Sequence, residues 1–179
     1  MVYTAVAGRG SRMLCGELYS VLSKLCEVVR VEECTLGATS ENPDVLLWQC
    51  PDEARIKTCS SVLVLAADCG SLASMQVRSD CVVIADMADD AAATFAAERG
   101  LRLLDCGLSS KASLTFSSIG METGVISLQR GIFDLYGNKL DPFDLPLAIE
   151  PVPYYPVLAA AGILLLSGKA TQLEMLHHI

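Results

Sequence analysis

The chain has 179 residues, 52% of them hydrophobic, and a mean hydropathy of +0.43. It is long and apolar enough to bury a sizeable core in one domain, and this composition excludes an intrinsically disordered protein. The formal net charge of −8 argues against a nucleic-acid partner, because proteins that bind nucleic acids concentrate Lys and Arg on one face.

Short apolar strands alternate with helices through the first two thirds of the sequence. VYTAVA from Val2 predicts a buried strand, and leucines spaced along one face predict a helix from Arg12 to Leu25. Runs such as SVLVLAA are continuously apolar, which is typical of a parallel sheet with helices on both faces. The remaining predicted strands are 27–33, 44–50, 61–67, 81–85 and 101–107, with helices at 51–58 and 89–99 and a loop from residue 38 to 43.

Beyond Gly107 the sequence becomes rich in Thr, Ser, Val, Ile and aromatic residues, with turn signals at Gly120–Gly124 and Gly137-Asn138. This pattern predicts antiparallel hairpins attached to the parallel sheet. Two helices, Val157 to Ser167 and Thr171 to His178, are expected to close the chain. We therefore predict one three-layer α/β domain, with a mostly parallel part at 1–107, a hairpin extension at 108–150, and a connector with two closing helices at 151–179.

No segment of the sequence indicates a membrane or an export route. The longest apolar stretch begins at Val157 and is far shorter than the roughly 18–20 residues that span a bilayer. The first residues lack the charged region and apolar core of a signal peptide. We therefore expect a cytoplasmic protein with no membrane partner.

Eight cysteines are present, but their spacing does not favour a metal centre. None form a C-x-x-C pair, and the only histidines, His177 and His178, lie at the C-terminal end, where we also expect no catalytic role. In a reducing cytoplasm, cysteines in apolar segments behave as small hydrophobic residues. We expect buried, reduced thiols at positions 15, 26, 34, 50, 59, 69, 81 and 106.

A glycine-rich turn separates the first strand from the first helix. Gly8 and Gly10 flank Arg9, and Ser11 and Arg12 follow. This is the layout of a phosphate-binding loop, in which backbone N–H groups and a helix N-terminus bind the anion, and glycines allow its close approach. The lysine of such a loop is missing, and a guanidinium is not equivalent to it. The stretch predicts either an anion site or an ordinary strand-to-helix turn.

Acidic residues follow the strand at 81–85. Asp86, Asp89 and Asp90 lie at its carboxyl end, where open α/β sheets bind ligands. They are candidates to hold a divalent metal, but capping of the next helix by Asp89 and Asp90 is the favoured interpretation. The serine-rich loop from Gly107 has no histidine nearby, so a Ser-His-Asp hydrolase is not expected.

The order of the segments resembles the central, ATP-binding domain of the Mur ligases and folylpolyglutamate synthases. The Gly8 loop comes first, then VVIADMADDA from Val82, LRLLDCGLSS from Leu101, the hairpins, and YYPVLAAAGILLLSG from Tyr154. The resemblance covers most of the chain. It implies a fold like that of the P-loop NTPases, and ATP or another nucleotide as the ligand.

The sequence departs from this family at the residues that carry its chemistry. The family loop Gly-Thr-x-Gly-Lys-Thr-Thr corresponds to AGRGSRM from Ala7, without the lysine and the paired hydroxyls. The family's Asp-His corresponds to Asp68-Cys69, which lacks the imidazole, and its metal-binding glutamate has no counterpart near Gln49-Cys50. Tyr155-Pro156 replaces the asparagine before Leu-Ala-Ala.

Transfer of a phosphoryl group depends on positioning and on cations that stabilise the transferred charge. We therefore expect no catalytic residue and no metal, but a non-catalytic module that binds an anionic or nucleotide ligand at the degenerate loop, or a partner protein, or a second copy of itself. The candidate ligand-binding residues are Gly8, Arg9, Gly10, Ser11 and Arg12, with Asp68 and Asp86. Two alternatives remain: a divergent nucleotide-binding enzyme in which Arg12 replaces the lysine, and a Rossmann-like protein unrelated to this family.

Overall fold

The computed structural model describes residues 1–32, 35–38, 41–67, 69–120, 123–148 and 153–174. The candidate Asp68 and the two histidines, together with Cys34, lie outside this part. Its strands and helices, in chain order, are β1 (Val2–Ala7), α1 (Ser11–Leu22), β2 (Val28–Glu32), β3 (Thr35–Ala38), β4 (Val45–Gln49), β5 (Arg55–Ile56), β6 (Ser61–Leu65), a 3₁₀ helix (Cys69–Ser74), β7 (Gln76–Val77), β8 (Val82–Asp86), α2 (Asp90–Glu98), β9 (Arg102–Gly107), β10 (Leu114–Ile119), β11 (Thr123–Leu128), β12 (Ile132–Phe133), β13 (Lys139–Leu140), β14 (Phe143–Ala148), α3 (Tyr154–Leu166) and α4 (Ala170–Leu173).

Most strands belong to one sheet in the order β14-β11-β10-β9-β8-β6-β1-β4-β2-β3. Neighbours from β10 to β2 are parallel, whereas β3 at one edge and β11 and β14 at the other are antiparallel to their neighbours. The predicted fold class, a mostly parallel sheet with helices and a hairpin extension, is confirmed. The parallel part extends one strand beyond the predicted limit at Gly107, because β10 runs parallel to β9.

Side chains alternate between the two faces of the sheet, which we call the α1/α3 face and the α2 face. On the α1/α3 face, Val6, Val64 and Ile84 belong to a buried cluster with apolar residues of α1 and α3. On the α2 face, Leu65 and Ala85 belong to a second cluster with residues of α2 and the 3₁₀ helix. This double burial explains the continuous apolar runs of β6 and β8.

Helix α3 is buried on all sides, from Pro156 to Leu166. It contacts α1 as well as β8, β9 and β10, so no face of it needs polar side chains. It begins at Tyr154, three residues before the predicted start, and includes Pro156 in its first turn, where proline is tolerated. No helix within the described ranges is long and apolar enough to cross a membrane.

The predicted helix at 51–58 is wrong. Arg55–Ile56 forms β5, which pairs in parallel with β7. Ala54 and Ile56 are each 6% exposed, whereas Arg55 and Lys57 are exposed, and this alternation has the period of a strand. The strand β3 was also not predicted. The last predicted helix is present in part, as α4 at Ala170–Leu173. Residues 175–178 of that prediction lie outside the described residues.

The cysteine prediction is confirmed for the thiols of Cys15, Cys50, Cys81 and Cys106, which are free and buried. Burial raises the pKa of Cys15 to about 11 and the pKa of Cys50 to about 12, so neither is a reactive thiolate near neutral pH. Cys26 is half-buried, and Cys59 is exposed, against the prediction. Within the described residues, no group of three His, Cys, Asp or Glu side chains is arranged to hold a metal ion.

Close contact between α3 and the sheet depends on Gly162. A Cβ atom at this position would lie 3.0 Å from Leu104 Cδ2 and 3.1 Å from Ile84 Cδ1. We expect Gly162→Val to lower the free energy of unfolding by about 1–3 kcal/mol, because the added methyl groups overpack this contact. Urea unfolding followed by circular dichroism measures the change.

The matched control is Gly16→Ala in α1, where a Cβ atom would meet only the Arg30 guanidinium, at 3.6 Å. Replacing a helical glycine by alanine there is expected to leave stability unchanged or to raise it by up to about 1 kcal/mol. Equal stability of Gly162→Val and the unmodified protein would contradict the close packing of α3.

Candidate functional site

The candidate site lies at the carboxyl ends of β1, β6 and β8, which are neighbours in the sheet. From β1, the chain first adds β2 and β4 on one side, and later β6, β8 and β9 on the other. The strand order therefore reverses between β1 and β6. Open α/β sheets bind their ligands in the crevice at such a reversal, and the Gly8 turn lies there.

Three residues connect β1 to α1, and two of them have a left-handed backbone. Gly8 has φ +94° and Gly10 has φ +84°. The Ser11 N–H donates to the Gly8 carbonyl at 3.1 Å, and the Leu14 N–H donates to the Gly10 carbonyl at 3.1 Å. The turn is therefore closed by its own hydrogen bonds, and the Ser11 amide does not point freely into the crevice.

Gly8 also lies against the segment that follows β6. A Cβ atom on Gly8 would be 3.1 Å from the Ala66 carbonyl oxygen. Any larger residue would therefore meet both backbone strain and a close contact. This glycine is explained by packing alone, without a bound ligand.

The side chains of the turn present positive charge to solvent. Arg9 and Arg12 are exposed, and Ser11 is half-buried at the start of α1. Helix α1 has no side-chain cap, and no acidic residue lies in its first turn. The partial positive charge of its N-terminus therefore adds to the two guanidinium groups. The five predicted loop residues thus form one turn in which Arg9, Gly10 and Arg12 are exposed and Gly8 is buried.

The first residues of α3 contact the carboxyl ends of two central strands. The Tyr155 hydroxyl donates to the Leu65 carbonyl at 2.6 Å and lies 3.3 Å from the Ile84 carbonyl. Leu65 is the last residue of β6, and Ile84 lies two residues before the end of β8. Tyr155 thus supplies a hydrogen-bond donor to the carbonyl group at the end of β6.

The neighbouring Tyr154 binds Asp86. The Tyr154 hydroxyl donates to Asp86 Oδ2 at 2.5 Å, and the Ala88 N–H donates to Asp86 Oδ1 at 2.9 Å. The hydrogen bond to the carboxylate, together with partial burial, raises the pKa of Tyr154 to about 12. Both oxygens of Asp86 therefore have protein partners.

A cavity of about 530 Å³ beside these residues is acidic. Asp86, Asp89 and Asp90 line it, together with Ala66 and Tyr155. Asp89 accepts hydrogen bonds from the N–H groups of Ala91 and Ala92 at 3.0 and 3.2 Å, so it caps α2 as predicted. Three carboxylates in one cavity disfavour a polyphosphate without bound cations.

The residue-by-residue prediction missed the part played by Tyr154 and Tyr155. Both tyrosines directly precede an apolar segment of the sequence, and Tyr155 replaces a residue of the family pattern. Their hydroxyl partners lie 68 to 90 positions away in sequence, so no local pattern indicates them.

No protein-family model and no curated protein sequence matches this chain. Solved structures do match its fold. E. coli FolC in complex with DHPP and ADP superposes with a TM-score of 0.57 at 15% identity, over 99% of this chain and 56% of that chain. The UDP-N-acetylmuramate:L-alanyl-gamma-D-glutamyl-meso-diaminopimelate ligase from Neisseria meningitides superposes with a TM-score of 0.62 at 11% identity. This match covers 99% of this chain and 65% of that chain. MurF ligase from Thermotoga maritima in complex with ADP superposes with a TM-score of 0.56 at 8% identity. This match covers 100% of this chain and 48% of that chain.

The chain therefore has the fold of the central domain of the Mur ligases and folylpolyglutamate synthases. The resemblance expected from the order of segments is confirmed at the level of the fold. The chain spans between 48% and 65% of the length of these three ligases. The hairpins between β10 and α3 are present, and they distinguish this architecture from the Rossmann-like alternative.

The contact between Tyr154 and Asp86 makes the free energy of unfolding depend on pH in the alkaline range. Because the pKa of Tyr154 is raised from 10.0 to about 12, the folded state keeps the phenolic proton longer than the unfolded state does. This contribution is complete below pH 10 and is lost as the pH rises to about 12. We expect the unfolding free energy to fall more steeply over this range in the unmodified protein than in Tyr154→Phe, as measured by urea unfolding at each pH.

The control is Tyr136→Phe, since Tyr136 is 57% exposed. Its pH dependence should follow that of the unmodified protein. If the free energy of unfolding changes equally with pH in the unmodified protein and in Tyr154→Phe, the contact with Asp86 does not raise the pKa of Tyr154.

Proposed function

We propose that this protein is a non-catalytic module with the Mur ligase central-domain fold that binds an anionic ligand, a phosphate group or a nucleotide, at the turn Gly8–Arg12. The observation that carries this proposal is the closed three-residue turn between β1 and α1, with two exposed arginines. The turn offers charge to an anion, but it lacks the length and the lysine of a loop that surrounds a triphosphate.

The argument against phosphoryl transfer rests on the size of the turn. A phosphate loop of the form Gly-x₄-Gly-Lys-Ser/Thr has several backbone N–H groups that surround one phosphate, and a lysine that contacts the terminal phosphates. Here a single residue, Arg9, separates Gly8 from Gly10, and the Ser11 amide is already bonded to Gly8. Such a turn can contact one phosphate from outside.

The residues around the crevice support the same proposal. Tyr155 donates a hydrogen bond to the end of β6, Tyr154 donates one to Asp86, and three carboxylates line the adjoining cavity. Stabilising the transferred phosphoryl group requires positive charge at the point where these negative groups lie. Binding without transfer is therefore the activity that these side chains favour.

The exposed turn supports the binding half of the proposal. Arg9 and Arg12 stand next to the uncapped N-terminus of α1, and helix N-termini attract anions. Guanidinium groups bind phosphate oxygens through two parallel N–H bonds. FolC and MurF, whose folds are similar, are both found in complex with ADP, which makes a nucleotide the first ligand to test. The cytoplasm, expected from the sequence, is part of the same proposal.

Isothermal titration calorimetry with inorganic phosphate, ADP and ATP, each with and without magnesium, tests this function. We expect weak binding of ADP and ATP that falls as salt is added, because the contact is electrostatic and exposed. Arg12→Ala should weaken binding about three- to tenfold, the effect expected for the loss of one solvent-exposed hydrogen bond or ion pair. No ATP hydrolysis is expected above the rate without protein.

The matched control is Arg78→Ala. Arg78 is exposed and pairs with Asp80, and it lies in the segment before β8 rather than at the Gly8 turn. Its replacement should leave binding unchanged. Absence of heat with any ligand would refute anion binding, whereas ATP hydrolysis that is lost in Arg12→Ala would establish the alternative, an enzyme in which Arg12 replaces the lysine.

A further inference from the structure

A second, smaller cavity lies between the α2 face of the sheet and residues 55–58, which include β5. From the sheet, Tyr3 of β1 and Leu46 and Trp48 of β4 line it, and all four residues of 55–58 also line it. Tyr3 pairs with Leu46 and Ala5 pairs with Trp48, so these side chains share one face of the sheet. The volume is about 100 Å³. We call this space the β5 cavity.

The β5 cavity is separate from the candidate site at the Gly8 turn. Tyr3 and Leu46 are the second residues of β1 and β4, so the cavity lies at the amino ends of these strands. The Gly8 turn follows the carboxyl end of β1. The five steps from Tyr3 to Gly8 correspond to about 16 Å of extended strand. A ligand in one site therefore does not fill the other.

The sheet side of the β5 cavity is apolar and has contact surface to spare. Tyr3 and Leu46 are half-buried, and neither is part of the two buried clusters of the described residues or packs against them. Trp48 packs against the cluster on the α2 face but is itself half-buried. An apolar group that enters the cavity would remove this remaining apolar surface from water, which is favourable.

The volume of the β5 cavity limits what can enter it. A cavity of about 150 Å³ lined by apolar side chains binds benzene. The β5 cavity is smaller, at about 100 Å³. It therefore accommodates an aliphatic group of about three or four carbon atoms, and it is too small for a nucleobase.

The charge beside the β5 cavity is positive. Arg55 and Lys57 line it and are exposed, so their charges lie at its rim. No acidic side chain lines it within the described residues, although the chain as a whole has a net charge of −8. Guanidinium and ammonium groups form charge-assisted hydrogen bonds with carboxylates. The rim therefore favours an anion over a cation.

We propose that the β5 cavity binds a small aliphatic carboxylate. Its tail of three or four carbon atoms contacts Tyr3, Leu46 and Trp48, and its carboxylate group lies at the rim with Arg55 and Lys57. An amine of the same size is repelled by both positive charges. This proposal is independent of anion binding at the Gly8 turn.

Trp48 reports on this site directly, since it is the one tryptophan of the sequence. We expect butanoate to change tryptophan emission in a saturable way, with a Kd of about 1 mM or weaker, because so small a ligand makes few contacts. Acetate should bind about tenfold more weakly, because it lacks two methylene groups. Butylammonium should not bind. All titrations are made at one ionic strength, and saturation-transfer NMR detects bound butanoate independently of emission.

Two changes in the lining test the location of the site. Leu46→Phe should abolish binding, because the larger side chain fills the cavity. Its matched control is Leu36→Phe, at a leucine of β3 that is 72% exposed and does not line the cavity. Arg55→Ala and Lys57→Ala together should weaken binding about tenfold, since two exposed ion pairs are lost.

The matched control for the charges is Lys139→Ala, at an exposed lysine of β13 that pairs with Asp141. It should bind butanoate like the unmodified protein. Absence of saturable binding by both methods up to about 100 mM butanoate would overturn the proposal. Equal affinity for acetate or butylammonium, or full binding by Leu46→Phe, would also contradict it.

Failure of this site and failure of the Gly8 turn are distinguished by one further variant. Arg12→Ala should bind butanoate normally, and ADP should not displace butanoate from the unmodified protein. Loss of butanoate binding in Arg12→Ala, or displacement by ADP, would place the carboxylate at the Gly8 turn instead. Far-ultraviolet circular dichroism verifies that each variant is folded.

Discussion

The position of α3 on the sheet determines both the core and the candidate site. The helix is buried on every side, so it has no polar face that would fix its orientation. Its orientation is fixed instead by a close contact at Gly162 and by two hydroxyl groups at its start, which bind the ends of β6 and β8 and Asp86. Because these hydrogen bonds lie at the crevice, the interactions that anchor the helix are also the ones that fill the place where a ligand would bind.

Two chemical environments meet within a short distance as a result. The Gly8 turn is cationic, since it joins a helix N-terminus to Arg9 and Arg12, while the cavity on the other side of the β6 end is lined by carboxylates. In an ATP-dependent ligase, cations must be concentrated where phosphates react. Here the guanidinium groups of Arg9 and Arg12 lie at the solvent-exposed turn, whereas carboxylates line the crevice.

The sequence predicted the sheet well because its central strands are continuously apolar, and it predicted the turn because Gly8 and Gly10 interrupt that pattern. The capping of α2 by Asp89 was predicted for the same reason, since a cap acts over a few residues. The strand at Arg55–Ile56 was not predicted, because a two-residue strand carries too short an alternation to compete with the helix signal of Pro51. The hydroxyl contacts of Tyr154 and Tyr155 depend on strand order, which no local pattern contains.

The contact between Gly8 and the Ala66 carbonyl has a consequence for how phosphate loops are recognised in a sequence. A side chain at Gly8 would be strained by its backbone angle and blocked by that carbonyl, whether or not an anion ever binds. Gly8 therefore indicates a turn between a strand and a helix. The lysine of a phosphate loop, which contacts the terminal phosphates, is what indicates nucleotide chemistry. The requirements of folding are sufficient to explain the glycines of this turn, so the glycines alone do not identify a nucleotide site.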